Sequence, residues 1–185
     1  MNGKRLLIFL VGILVIMIII LGILKWRSME NLAIQTEITP LEEMTEEQER
    51  QTMISLYFIN PESNSLVPEA RRVDAKNLLE NPYKVMVELL IEGPKNEKLV
   101  ASIPEGTKVN NATLKNNCVE LDLSREFIDN QIGDAKKVAL SIYSIVNTLT
   151  ELNEVNCVKI LIDGEENIKF NNMDLSLEGE FIRKD

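Results

Sequence analysis

The longest apolar run of the chain lies near its start and predicts a membrane-spanning helix. The nineteen residues from Leu6 to Leu24 include no charged residue and no proline. At about 1.5 Å per residue, a helix of this length spans roughly the ~30 Å hydrocarbon core of a bilayer. Basic residues flank both ends, and Trp26 suits the membrane interface. The pattern therefore predicts one transmembrane anchor within residues 1–27.

Two other interpretations of this run, a cleaved signal peptide and a buried core helix, fit it less well, and so does a lipoprotein signal. A cleaved signal peptide usually has an apolar core of roughly 7–15 residues and a small-residue cleavage site, which this sequence lacks. A buried core helix would show a polar face. A lipoprotein would carry a cysteine directly after the run, where Lys25 and Trp26 stand. The short N-terminus and slight charge bias place residues 28–185 outside the cytoplasm.

The polar segment that follows, residues 28–52, predicts an acidic linker. It holds seven glutamates with Pro40 near the middle, a composition typical of a solvated spacer. One or two helical turns could begin near Thr45, where the sequence resembles a capping box. The remaining residues, 53–185, have the length of a single domain.

The first half of this domain alternates as strands and then adopts helical spacing. Ile54 to Ile59 predicts a strand, and Leu66 to Val73 predicts a second one whose Pro68 indicates a sheet edge or a bulge. Asn81-Pro82 provides an N-cap and a first helical turn. Gly93-Pro94 ends that helix, because glycine accepts the left-handed cap and proline cannot continue it.

A β-hairpin is predicted around Asn116-Asn117, since asparagine tolerates the positive φ of a two-residue turn. The expected partners run from Lys115 with Cys118 back to Asn110 with Leu123. This register places the apolar residues on one face and the polar residues on the other, as a half-buried antiparallel pair requires.

The longest helix of the domain is predicted from Asp134 to about Glu151. Its apolar positions recur at helical spacing, and the polar residues Ser141, Ser144 and Thr148 lie off the centre of the stripe. The stripe consists of Val138, Ile142, Ile145, Val146, Leu149 and Leu152. A strand from Val155 to Ile162 follows, then two short segments at 168–170 and 173–177.

This order of elements predicts an α/β (α+β) sandwich: a small mixed β-sheet with two helices packed on one face. All 29 acidic residues and 16 of the 20 basic residues follow Arg27, so residues 28–185 together are strongly acidic. Nucleic-acid binding depends on clustered Lys and Arg, and this balance argues against it.

The sequence offers only weak signals for a catalytic or binding site. The chain has no histidine, the usual general base and the commonest metal ligand. Ser124 lacks an activating base, and Glu120 and Asp122 fall on the polar face of a strand. We therefore predict no catalytic, cofactor-binding or metal-binding residues and no enzymatic activity.

Asp163, Glu165 and Glu166 beside Gly164 indicate a turn rather than a cation site. Cys118 and Cys157 are expected as two isolated thiols, although a disulfide is sterically possible if their strands are adjacent.

Seven segments in sequence order resemble the GerMN domain of GerM-type sporulation and germination proteins, over roughly residues 54–178. Each segment alone is weak, but their order is fairly specific. They are Leu56–Phe58, Leu66–Glu69, Leu89–Pro94, Ile103–Thr107, Val119–Ser124, Asn147–Glu151 and Val158–Gly164.

The resemblance implies a fold like the ring-building motif and a non-enzymatic envelope protein. Family members act in the assembly that joins mother cell and forespore, with channel components in the intermembrane space. This chain differs from the best-known pattern in having one GerMN domain and a transmembrane anchor in place of a lipidated cysteine. The expected role is a membrane-anchored extracytoplasmic interaction module in spore formation or germination, whose partners are other membrane or envelope proteins. Ring formation stays open. A general envelope or wall-associated accessory role, unrelated to sporulation, is the alternative.

Overall fold

The computed structural model describes residues 16–26, 51–170 and 173–184 of the chain. Residues 16–26 are helical. Within the described residues, no helix combines the length and the apolar character needed to cross a membrane. Residues 6–15 of the predicted span and residues 28–50 of the predicted linker lie outside the described part. The anchor and the linker therefore stay predictions.

The folded unit lies within Glu46–Asp185, and it contains five strands and three α-helices among its described residues. The strands are β1 (Gln51–Asn60), β2 (Ser65–Asp74), β3 (Val109–Lys115), β4 (Cys118–Leu123) and β5 (Cys157–Ile162). The helices are α1 (Pro82–Ile91), α2 (Glu126–Asp129) and α3 (Ala135–Leu149), with a 3₁₀ turn at Ala75–Leu78. The predicted order is confirmed, and the one-turn helix α2 is an addition to it.

The strands form two small sheets, so the prediction of one sheet is wrong. β1 and β2 make an antiparallel pair, while β3, β4 and β5 make a mixed sheet in which β4 and β5 run parallel. The outer edge of β1 is occupied by other groups: Ile59 bridges to Val100, and the Tyr57 amide donates to Thr148 Oγ1 at 3.0 Å. No further strand can pair at these two positions.

Polar side chains cap the two longer helices: Asn81 is the cap inferred from the sequence, and Asp134 stands where the second helix was predicted to begin. Asn81 accepts from the Lys84 amide at 3.0 Å, and its Nδ2 donates to the Ala112 carbonyl at 2.8 Å, which ties α1 to β3. Asp134 caps α3 by accepting from the Lys137 amide at 3.0 Å. The β3–β4 turn has both asparagines at positive φ, 50° for Asn116 and 62° for Asn117.

The hairpin register agrees with the prediction except at its open end. Lys115 pairs with Cys118, and the following partners match as far as Asn111 with Asp122. Leu123, however, pairs with Val109 because the register shifts between Val109 and Asn111. Asn110 is thus the extra residue of a β-bulge. It uses its side chain instead, and its Nδ2 donates to Asp163 Oδ1 at 3.2 Å.

Helix α3 is buried on more than its apolar stripe. The stripe residues from Val138 to Leu149 are at most 1% exposed, and Leu152 beyond the helix end packs against them. Ser141, Ser144 and Thr148 are buried as well, although they lie off the centre of the stripe. The physical reason is that α3 contacts strands of both sheets and also α1. A helix that has neighbours on two sides must bury polar residues, and these residues are hydrogen-bonded.

Candidate functional site

The three candidates for a catalytic role, Ser124, Glu120 and Asp122, each form a hydrogen bond or an ion pair with a nearby residue. Ser124 Oγ accepts from the Lys108 amide at 3.0 Å, next to the end of β4. Glu120 pairs with Lys115 across the hairpin. Asp122 Oδ1 accepts from the Gly164 amide at 2.9 Å. Each of the three side chains therefore has a different partner in a neighbouring strand or turn. They do not form one catalytic group.

The acidic turn after β5 is built in the same way. Asp163 and Gly164 both have positive φ, 50° and 80°, as the tight turn requires. Glu166 forms an ion pair with Lys159 at 2.7 Å. The hydrogen bonds to Asp163 and Asp122 take carboxylate oxygens that a cation would need.

Cys118 and Cys157 form a disulfide, which corrects the expectation of two isolated thiols. The cysteines are direct partners in the parallel β4–β5 ladder, with Cα atoms 4.6 Å apart. Sequence spacing did not reveal this because the two residues are 39 positions apart and the adjacency of the strands depends on the fold. The bond fastens two strands of the three-stranded sheet to each other.

Glu180 lies next to this disulfide, at 3.5 Å from Cys157 Sγ. Together, the three side chains are the group within the described residues whose spacing would suit a metal ion. Metal binding by cysteine requires thiolates. Because the two sulfurs are joined, the group as it stands is a covered disulfide and not a metal site.

A polar cluster links β1, the end of α3 and the C-terminal segment. Tyr57 Oη donates to Glu151 Oε1 at 2.9 Å, and Arg183 Nη1 contacts the same carboxylate at 2.6 Å. Arg183 also bonds the Tyr57 hydroxyl and lies over its ring, 5.2 Å from the centroid. Burial, aided by the Glu151 carboxylate, raises the pKa of Tyr57. Burial opposes ionisation of Glu151, but the hydrogen bonds from Arg183 and Tyr57 outweigh it and lower the pKa.

A second charged cluster is centred on Arg71, whose side chain is almost fully buried. Its guanidinium pairs with Glu69, donates to the Gly93 carbonyl at 3.0 Å and lies 5.8 Å from the centroid of Phe58. Glu69 also accepts from the amides of Lys95 and Asn96. Burial acts to raise the pKa of Glu69, but these donors outweigh it and lower the pKa. The cluster closes the end of α1 onto β2.

A concave surface of about 460 Å³ lies beside the first turns of α3. The loop from Ala101 to Glu105 forms one wall, and residues 129–132 form the other. Asn130 Nδ2 joins the walls by donating to the Glu105 carbonyl at 2.8 Å. We call this feature the loop cavity. No sequence signal marked it, because its walls come from two loops that are distant in the chain.

Two residues that line the loop cavity each have a buried polar atom without a hydrogen-bond partner, Ser102 Oγ and Gln131 Nε2. The Gln131 side-chain oxygen does have a partner, since Ser141 Oγ donates to it at 3.4 Å. Buried polar atoms in folded proteins are nearly always paired. The loop cavity is therefore one candidate, among the described residues, for binding a group from outside.

Comparisons with known proteins identify the fold. A family model described as "Germane: Sporulation and spore germination" matches residues 55–168, more than half of the chain. The structure of the first GerMN domain of the sporulation protein GerM from Bacillus subtilis is similar with a TM-score of 0.59 and 24% identity. That match covers 72% of this chain and 99% of the other.

The tandem GerMN domains of the same Bacillus subtilis protein match with a TM-score of 0.59 and 22% identity. The match covers 74% of this chain and 46% of the tandem structure, so the chain spans about half of that structure. No curated protein sequence matches the chain.

Proposed function

The chain belongs to the Germane family of sporulation and spore germination proteins, and from that premise we propose that it is a membrane-anchored interaction module of the spore-forming cell envelope. It acts by docking to other envelope proteins, between mother cell and forespore, and it carries out no catalysis. The observation that supports this role most directly is the family match over residues 55–168.

Two features of the chain support a non-enzymatic role. The sequence contains no histidine, so the most common general base is missing from the entire chain. The hydroxyl of Ser124 is used in a strand-end hydrogen bond, with the Lys108 amide as donor. A hydrolase would need an activated nucleophile with a base in reach.

The disulfide supports the extracytoplasmic placement of the domain. Disulfides form and persist in oxidising compartments and are rare in the cytosol. Cys118 and Cys157 are paired across β4 and β5, in a domain that follows the predicted span Leu6–Leu24. Both features agree with a domain outside the cytoplasm that is tethered by its N-terminal segment. The tether raises the local concentration of partners, so each docking contact can be weak.

The anchor can be tested by exchange. Residues 1–27 are replaced by an unrelated single-pass anchor of the same orientation, and spore yield is compared with that of the wild type and of a secreted version without any anchor. We expect the exchanged anchor to restore spore yield and the secreted version to fail. If the exchanged protein is present in the membrane at normal level and spore yield is still lost, the passive-tether role is wrong. Normal spore yield in a deletion strain would instead favour the general envelope role.

The topology can be tested with one introduced thiol. Ser63 lies in the exposed β1–β2 turn, and the native cysteines are joined to each other. In Ser63→Cys, a membrane-impermeant maleimide should label intact protoplasts. Wild-type protein is the control and should stay unlabelled. Labelling of Ser63→Cys only after lysis would place the domain in the cytoplasm.

A further inference from the structure

Strand β2 pairs with a neighbouring strand on one side only. Its partner is β1, and among the described residues no further backbone hydrogen bond reaches Ser65–Asp74. The direction of its backbone groups follows from β1. The Tyr57 amide donates to Thr148, and Ile59 exchanges two backbone bonds with Val100, so these two β1 residues point their backbone groups away from β2.

The β2 residues opposite such positions point outward on the other side of the hairpin. Facing residues of an antiparallel pair alternate between those that exchange both hydrogen bonds and those that exchange none. Tyr57 faces Pro68 and exchanges none, so Ala70 and Arg72, two and four positions along, exchange none either. Pro68 fits this register, because proline has no N–H to give to a ladder. We call the outward backbone groups of Pro68, Ala70 and Arg72 the β2 edge.

The β2 edge is open to solvent. Pro68, Ala70 and Arg72 are all exposed. A groove of about 420 Å³ lies beside Ala70 and Arg72, and Lys95 and Asn96 line it from the loop after α1. This loop is fastened to β2, since the amides of Lys95 and Asn96 donate to Glu69 Oε2 at 3.0 and 2.8 Å. An extended chain therefore has both a free row of backbone groups and room beside it.

The groove is positively charged, although the whole chain has a net charge of −9. Its lining carries three positive charges, from Arg71, Arg72 and Lys95, and one negative charge, from Glu69. The Glu69 carboxylate is already bound by Arg71 and by two backbone amides. The exposed charges that face a ligand are thus those of Arg72 and Lys95, which favour an acidic partner. Asp74, at the end of β2, caps the following 3₁₀ turn.

We infer that the β2 edge binds an extended acidic segment of a partner protein as an added β-strand. The segment exchanges main-chain hydrogen bonds with Ala70 and Arg72, as in other cases of strand addition. Its carboxylates lie near Arg72 and Lys95, and the ladder ends at Pro68, which has no donor. This inference rests on the proposed role as an interaction module and supplies its contact site.

A second copy of the chain fits the β2 edge less well than an acidic segment. It would bring a second Pro68 and a second Arg72 to the same ladder. Proline offers no donor there, and like charges close together on paired strands are unfavourable. Proline and charged residues on an edge strand are features that discourage pairing between identical edges.

The test uses the full chain in detergent micelles, labelled with ¹⁵N, and a short capped peptide of alternating valine and glutamate. Hydrogen exchange of the backbone amides is measured as the peptide is added. We expect exchange at Ala70 and Arg72 to slow in a saturable way. The Arg71 amide is the internal control, because it faces Ile54 in the ladder with β1 and should change little.

Two variants separate the backbone bonds from the charge. Ala70→Pro removes one outward N–H and leaves the ladder with β1 intact, and it should weaken peptide binding about three- to tenfold, the factor of one hydrogen bond. Arg72→Gln removes one charge and should weaken it about two- to fivefold. Lys136→Gln is the matched control, because it removes the same charge at the exposed start of α3 and should leave the affinity unchanged.

An N-methylated form of the peptide tests the same point on the wild type, so the inference does not depend on the folding of Ala70→Pro. It keeps the carboxylates but lacks the N–H donors that the Ala70 and Arg72 carbonyls accept. We expect it to bind at least about threefold more weakly than the parent peptide. A peptide of alternating valine and lysine should bind more weakly still, since its charges meet those of Arg72 and Lys95.

Three results would overturn the inference. The first is unchanged exchange at Ala70 and Arg72 when the peptide is added. The second is equal affinity for the parent and the N-methylated peptide, which would mean that charge alone attracts it. The third is slow exchange at both amides without peptide that depends on protein concentration, which would assign the edge to a second copy. None of these results affects the anchor exchange, so failure of this docking site is distinguishable from failure of the proposed function.

Discussion

The hydrogen bond between Thr148 and the Tyr57 amide provides a sharp test of how strand β1 is joined to helix α3. Tyr57 lies in β1, its N–H points away from β2, and Thr148 Oγ1 on α3 accepts it at 3.0 Å. Thr148 is fully buried. Thr148→Val keeps nearly the same shape but removes the acceptor. The Tyr57 N–H is then left buried without a partner.

The expected cost follows from this change. A buried donor that loses its only partner costs about 1–3 kcal/mol. Because valine fills the space of threonine, the cavity contribution is small, and we expect a loss of about 2 kcal/mol in the free energy of unfolding. The measurement is urea unfolding of the Glu46–Asp185 fragment, followed by far-ultraviolet circular dichroism.

Thr150→Val is the matched control. The Thr150 hydroxyl donates to the Val146 carbonyl at 2.8 Å, but that carbonyl also accepts from the Thr150 amide at 2.9 Å, so no buried group loses its only partner. The control should cost less than about 0.5 kcal/mol, as is usual for surface positions. If Thr148→Val costs no more than Thr150→Val, the bond does not join β1 to α3 and the reasoning is refuted.

Three further predictions address the core, the disulfide and the charged cluster. Ile145→Ala, at a fully buried position, should lower the free energy of unfolding by about 2–5 kcal/mol, while Ile132→Ala at an exposed position should change it little; similar losses would contradict the packing of α3. Replacing both Cys118 and Cys157 by alanine should lower the free energy of unfolding by about 2–4 kcal/mol, because the disulfide closes a loop with a sequence separation of 39 residues. Dithiothreitol should destabilise the wild type but not the double variant. The lowered pKa of Glu69 stabilises the folded state above about pH 4.3, the glutamate pKa in the unfolded chain, and this contribution is lost as the pH falls through the folded-state value. The urea midpoint should therefore fall less between about pH 5 and pH 3 in Glu69→Gln than in the wild type, and an equal fall would contradict this assignment.

The parts of the fold that the sequence predicted are those with local causes. The turn at Asn116-Asn117 is specified by two residues that tolerate positive φ, and both adopt it. The Asn81 cap and the helix start at Asp134 depend on side chains that reach only three residues along the chain. The apolar stripe of α3 follows from helical periodicity alone. In each case the information lies within one turn or one element.

The parts that the sequence did not predict depend on partners far along the chain. Thr148 and Ser144 are polar, and they are buried because α3 contacts strands of both sheets and also α1. The disulfide required β4 and β5 to be neighbours in register. Phe181 bridges to Val158 at the outer edge of β5, although the segments predicted near the C-terminus ended at Leu177. A pattern of polar and apolar residues does not specify which element supplies the partner.

The same distinction explains why the loop cavity is built as it is. Ser102 and Gln131 carry no sequence signal, yet each follows an anchored point: Ser102 comes two residues after the Val100 bridge, and Gln131 directly follows Asn130, which holds the Glu105 carbonyl. Gly133 then has a φ of 118°, which turns the chain into the Asp134 cap of α3. Both loops are thereby joined to neighbouring parts of the fold by hydrogen bonds. A site that is ordered before binding loses little conformational freedom on docking. A group that binds between the two loops therefore meets walls that the fold has already ordered.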